Sequence, residues 1–317
     1  MSSALNMNQT MRLFKQISKQ LFSFGTRTLE SNGHMLTQKY IRKFFQKSRN
    51  WSVYNDVSYQ QTPHGMKKFT NIVATYKPDY TIPSNNIKKQ KIIFGAHYDS
   101  KLVDGKGIIG ATDALVPVVM IMVLAKVFEK FASDYFGNLN LQCVFFDGEE
   151  SLEEWTETDS LYGSRHLCEL WDKRNKLKDI NLLINLDLIG ASGAEFYNYQ
   201  VHYDSQTDGT FNKLSLSEKR LRLNRRLKTH ENRVFFVNAI PNVDSGADDC
   251  TPFFKKGVPI LHLIPLHFPE VWHTHEDNED ILDHDEIYDI LYILKYFMVH
   301  HIFNFPSNPL IKPPTES

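Results

Sequence analysis

Three short runs of apolar β-formers each stop at a residue able to hold a metal or move a proton. Ile92-Ile93-Phe94-Gly95-Ala96 ends in His97-Tyr98-Asp99. Val144-Phe145-Phe146 ends in Asp147-Gly148-Glu149-Glu150. Leu182-Leu183-Ile184-Asn185-Leu186 ends in Asp187. Runs this apolar read as strands buried on both faces, since a strand with one wet face alternates polar and apolar residues. Between the first two runs lies a helical-length apolar segment, residues 113–131, opened by Gly110-Ala111-Thr112-Asp113. Strands alternating with helices predict an α/β chain with a largely buried sheet. In such sheets functional groups gather at the carboxyl ends of the strands.

The rest of the chain fits one domain. Residues 7–48 carry helical periodicity in two segments, broken near Gly25 and Ser31-Asn32-Gly33. Residues 68–76 and 91–97 read as neighbouring strands, with a polar turn from Lys77 to Asn86 between them. A helix near 161–171 separates strands at 139–146 and 181–188. Residues 211–228 read as a basic helix, 233–238 and 258–264 as strands, and 285–303 as a closing helix. The tail 305–317 holds four prolines and is expected to be loosely held. No linker or repeat divides the chain, so residues 1–317 read as a single catalytic domain with N-terminal helices over 1–50.

Composition narrows the function classes. An apolar fraction of 42% suffices for a sizeable core. A net charge of −1 gives no electrostatic case for nucleic acid or an anionic membrane. The longest apolar run, Ala114 to Ala125, contains Pro117 and falls short of the roughly 20 residues a bilayer span needs, so it reads as a buried helix. The basic segment Glu218–Lys228 reads as a solvated helix face whose leucines pack inward. Three cysteines, Cys143, Cys168 and Cys250, are too few and too odd a number for a disulfide framework. Residues 1–25 lack an apolar signal core. The chain therefore reads as cytoplasmic at face value, and as secretory or extracellular if a leader has been removed.

Glu149 and Glu150 are the chemical centre of this pattern. Adjacent residues at a strand end point in different directions. One can bind a metal while the other handles a proton, a division that zinc hydrolases use. Each candidate also has an ordinary reading: a solvated acid pair, an N-cap at Asp113, a turn residue at Asp187, a core imidazole at His97, an ion-pair partner at His273. Their recurrence at successive strand ends favours one shared site. Asp, Glu and His without a thiolate suit a catalytic zinc with an open position better than a closed structural one. Trp155 stands among Glu153, Glu154, Thr156 and Glu157, which puts it on a loop. With Phe268 and Trp272 it would wall a small, dry pocket for a compact substrate.

Several segments together resemble the animal-type glutaminyl-peptide cyclotransferases, relatives of the zinc aminopeptidases. They are His97-Tyr98-Asp99-Ser100-Lys101, Gly110-Ala111-Thr112-Asp113, Phe145-Phe146-Asp147-Gly148-Glu149-Glu150 and Asp159-Ser160-Leu161-Tyr162-Gly163-Ser164-Arg165-His166-Leu167. Leu186-Asp187-Leu188-Ile189-Gly190, Phe268-Pro269-Glu270-Val271-Trp272-His273-Thr274 and Gln61-Thr62-Pro63 complete the set. The likeness runs in order from about residue 50 to 300. It implies a zinc-aminopeptidase-like (α/β-hydrolase-like) domain with a central mixed, mostly parallel sheet flanked by helices. It also implies conversion of the N-terminal Gln of peptides and proteins, and more slowly Glu, to pyroglutamate with loss of ammonia.

By that resemblance one zinc per chain is held by Asp113, Glu150 and His273. Glu149 is the proton shuttle, with Asp187 and Asp248 completing an acidic hydrogen-bond network. Trp155, Phe268 and Trp272 line the substrate pocket. The chain departs from the family at Ala247 and Cys250, where Gln and His are usual, and at Ala96 and Val118, where the family has its disulfide. A two-metal aminopeptidase using His97 and Asp187 as well, or a silent binding domain on the same scaffold, are the competing readings. Neither oligomeric state nor the physiological substrate is legible.

Overall fold

The computed structural model describes residues 6–77, 90–132, 139–199, 205–241 and 246–303. Helices α1 (Met7–Phe22) and α2 (Asn32–Gln46) come first. Asn6 and Gln9 cap α1 reciprocally, each side chain accepting from the other's backbone N–H at 2.9 and 3.0 Å. Next come β1 (Trp51–Thr62), β2 (Gly65–Tyr76) and β3 (Gln90–His97), then a small hairpin of β4 (Leu102–Val103) and β5 (Lys106–Gly107). Helix α3 (Val116–Phe131), β6 (Leu139–Phe146), α4 (Tyr162–Lys173) and β7 (Ile180–Leu186) follow. The remainder is β8 (Phe196–Tyr197), α5 (Ser205–Leu223), β9 (Phe236–Val237), α6 (Thr251–Lys255), β10 (Ile260–Leu263) and α7 (His284–Phe297).

Six strands form one mixed sheet in the order β1-β2-β6-β3-β7-β10. The β1/β2 and β2/β6 pairs are antiparallel, and β6, β3, β7 and β10 run parallel. Their carboxyl ends therefore share one edge, which brings His97, Phe146 and Leu186 to a common rim. The period-2 rule splits the core in two. Ile92, Phe94, Phe145 and Ile184 face a large cluster shared with α1, α3 and α7. Ile93, Val144, Phe146 and Leu183 face a smaller one with Leu167, Trp171 and Phe253. Helix α3, with the turn before it, is long and apolar enough to cross a bilayer, but it is buried almost throughout in the protein core.

Two expectations need correction. The strands at 65–76 and 90–97 are not neighbours, because β6 lies between them. The crossover through α3 returns β6 parallel to β3, on the side facing β2. The twelve-residue edge strand β1 went unforeseen: its burial alternates irregularly, so it lacks a clean period. The strand expected at 233–238 is only Phe236–Val237, paired with Phe196–Tyr197. The polar turn at 78–86 and the tail at 305–317 lie outside the described residues.

Candidate active site

Two backbone features aim the acids. Gly110 has φ 59°, and a Cβ there would sit 2.1 Å from the Asp113 carbonyl oxygen, so only glycine allows the turn that presents Asp113. Gly148 has φ 65°, and a Cβ there would lie 2.4 Å from the Phe69 ring, which is stacked on Tyr162. That turn lets Asp147 point back and Glu149-Glu150 point on. Asp147 Oδ1 meets His34 Nε2 at 2.7 Å, and its Oδ2 accepts from Thr70 N at 2.6 Å. Asp99 accepts from the N–H of Glu149 on one oxygen and of Glu150 on the other, both at 3.2 Å.

Asp113, Glu150 and His273 converge. His273 Nε2 lies 3.3 Å from Asp113 Oδ2 and 3.3 Å from Glu150 Oε1. Two ligands of one tetrahedral zinc, each about 2.0 Å from the metal, stand about 3.3 Å apart. Both Glu150 oxygens are buried without a hydrogen-bond partner, although Lys101 Nζ stands 3.4 Å from Oε2. A buried carboxylate left in that condition calls for a cation. Burial works against charge on His273, but Asp113 and Glu150 outweigh it and raise the imidazole to about 9. Burial and Asp113 push Glu150 upward. Donor type, spacing and orphaned oxygens thus fit a divalent ion. His273 has φ 55°, in a turn where Trp272 N donates to Pro269 O at 2.8 Å.

His97, Asp113 and Asp187 form a second cluster with metal-capable atoms. His97 Nε2 lies 2.9 Å from Asp113 Oδ1 and 3.4 Å from Asp187 Oδ1, with Nδ1 3.5 Å from Asp99. The first distance is shorter than the roughly 3.3 Å between two ligands of one tetrahedral zinc. The surrounding carboxylates overcome burial and raise His97 well above its ordinary value.

Glu149 is buried, and burial, then Glu150, Asp248 and Asp249, push its carboxyl well up against the opposing pull of His97. Burial likewise raises Asp187 to about 7, with Asp113 and Asp248 adding and His97 opposing. Asp248 Oδ2 accepts from Asn185 Nδ2 at 2.8 Å and meets His262 Nε2 at 2.6 Å. Among the described residues no hydrogen bond joins the side chains of Glu149, Asp187 and Asp248, so charge, not a bonded network, couples them. Phe268 and Trp272 pack edge to face at 5.0 Å, and Trp272 stacks on His273 at 4.0 Å. Trp155 is 44% exposed on the loop before α4, with no ring contact to that pair among the described residues.

Other residues hold the site without having stood out in the sequence. Arg27 is fully buried, and its guanidinium donates to the carbonyls of Tyr98 at 2.8 Å, Gly110 at 3.1 Å and Ile109. It ties the turn after β3 to the turn that carries Asp113. Asp277 accepts from Thr112 N at 2.9 Å and so fixes the same turn from the far side. Asn185 and His262 are register partners on β7 and β10. His262 is the lone polar residue of β10 and Asn185 interrupts the apolar run 182–186 of β7, and those interruptions are the signal that could have found them. Ala247 is exposed, while Cys250 packs in the smaller apolar cluster and all three cysteines are free.

The profile of Peptidase family M28 matches residues 71–298. A glutaminyl-peptide cyclotransferase of Bos taurus is 35% identical over 291 residues, covering 86% of this chain and 77% of its own. One from Drosophila melanogaster is 31% identical over 307 residues, covering 94% and 82%. The crystal structure of Macrostomum lignano glutaminyl cyclase aligns at a TM-score of 0.83 and 29% identity, over 96% of this chain and 97% of that one.

Proposed function

The chain belongs to peptidase family M28 and, within it, to the glutaminyl-peptide cyclotransferases, and from that premise we propose a single-zinc site that turns N-terminal Gln of peptides into pyroglutamate. Asp113, Glu150 and His273 would hold the ion. The observation that carries this reading is the equal 3.3 Å spacing from His273 Nε2 to two carboxylates, one of them Glu150 with no hydrogen-bond partner. A zinc ion there supplies Lewis-acid polarisation of the γ-carbonyl.

The chain's own residues do the rest. The α-nitrogen forms a bond to the side-chain carbonyl carbon, the bond from that carbon to the amide nitrogen breaks, and ammonia leaves. Glu149 takes a proton from the α-ammonium and delivers one to the departing nitrogen. Burial among acids raises its carboxyl above the ordinary range, toward the working pH at which one group can both take and give a proton. Asp187 and Asp248 orient the amide nitrogen, Asp248 being itself held by Asn185 and His262. Phe268 and Trp272, with Trp155 from the loop before α4, would wall the pocket and fold the Gln side chain onto its own amine. N-terminal Glu has a poorer leaving group and should turn over more slowly.

A two-ion aminopeptidase is the second reading, favoured by the His97–Asp113–Asp187 cluster. Incubation with Gln- and Leu-anilides separates the two. The cyclase reading expects ammonia and pyroglutamyl product from the Gln substrate with no anilide cleavage. Release of aniline from the Leu substrate would support the peptidase.

A further inference from the structure

The cations of α1 stand on one side. Arg12, Lys15 and Lys19 are exposed and follow Asn8 at helical spacing, and the helix contains no acidic residue. Across a groove of 570 Å³ they meet Lys228, His284 and Tyr288. A second cavity of 420 Å³ shares Asn8 and Tyr288 with the first and is walled by Arg225, Arg226, Lys295 and Tyr292. The fold thus carries the basic stretch after α5, which reads in sequence as a solvated face, to a helix some two hundred positions away. No acidic side chain lines either cavity. Asp285 bonds Lys228 Nζ at 2.7 Å but does not line them. Lys295 is buried, and its Nζ donates to Thr10 Oγ1 of α1 at 3.4 Å, so it sits behind the groove's exposed cations. In a chain of net charge −1 such a concentration of one sign is local, not a general basicity.

We propose that this valley binds a linear polyanion, a sulfated sugar chain. Like charges gathered in a concave channel focus the field and favour a partner with repeated negative groups. The two adjoining cavities and the exposed face of α1 decide the class. No large apolar side chain of α1 is exposed, so the surface has no wedge for a bilayer. Nucleic-acid bases need free aromatic faces. Here Lys228 Nζ sits 4.7 Å over the Tyr288 ring, and Tyr292 abuts Tyr288 at 6.0 Å. Sulfates and hydroxyls need cations and amides, and Asn6, Asn8 and Gln16 stand among the lysines and arginines.

The test is calorimetric titration of the intact enzyme with a heparin oligosaccharide, beside a single-stranded oligonucleotide of equal charge and anionic phospholipid vesicles. Saturable heparin binding that weakens with added salt is expected. The triple variant Arg12→Glu, Lys15→Glu, Lys19→Glu should lose about tenfold or more in affinity with unchanged ammonia release from a Gln-peptide. The pair Arg225→Ser, Arg226→Ser gives an independent reading should the triple variant fold poorly. Absence of heparin binding, full affinity in a folded variant, or tighter binding of the oligonucleotide or the vesicles would each overturn the proposal.

Discussion

Glu149 and Glu150 are adjacent in the chain and opposite in circumstance. Glu150 faces His273 and Asp113 with oxygens that no donor satisfies, while Glu149 is crowded by further acids. Asp99 makes the division possible by accepting both of their backbone N–H groups. Glu149→Gln should lower kcat by about 10²–10⁴-fold with metal content unchanged, read by ammonia release and atomic emission. Asp99→Ala frees two buried N–H groups and the turn they hold. Zinc affinity should then fall about 10–100-fold, measured by competition with a chelator. An unaltered affinity would reduce Asp99 to a bystander. Much of this was legible: His97 and Asp187 end or follow apolar runs directly, Glu150 comes four residues after one, and Asp113 opens the apolar helix, so their gathering at one rim could be read from position. The role of Asp99 was not, because a carboxylate that binds backbone looks in sequence like any other acid.

At the scale of elements, the site depends on pieces that contribute no reacting group. Helix α2 sends His34 to Asp147 at the end of β6. Burial works against charge on that imidazole, and Asp147 outweighs it, so His34 is raised above its ordinary value. The stabilisation is fully present below about pH 6.5 and is lost as pH rises through the raised value. His34→Leu should cost about 3 kcal/mol in urea unfolding near pH 5.5, and less near pH 8.5. Equal losses at both pH values would show that the pair is not ionic. Periodicity gave α1, α2, α3 and α7 to the reader because each buries a stripe or a whole surface. The edge strand β1 escaped because its burial pattern is irregular. No local pattern in either strand says that β6 parts β2 from β3.

The whole molecule puts parallel strand ends on one rim and then locks the connecting turns together. Arg27 does this from the segment between α1 and α2, reaching three carbonyls around His97 and Asp113. A lone arginine in an N-terminal stretch carries no sequence mark of such a task, since its partners are backbone atoms about seventy residues or more away. The basic valley between α1 and α7 is equally a product of folding, as its cations come from distant segments. The proposed chemistry rests on a single ion, which Asp113, Glu150 and His273 would hold. The most direct measurement is titration of metal-stripped enzyme with zinc while ammonia release from a Gln-peptide is followed. A one-ion site predicts a linear rise that ends at one equivalent per chain, and no rise in a His273→Ala variant. A break at two equivalents, or full activity in that variant, would contradict it.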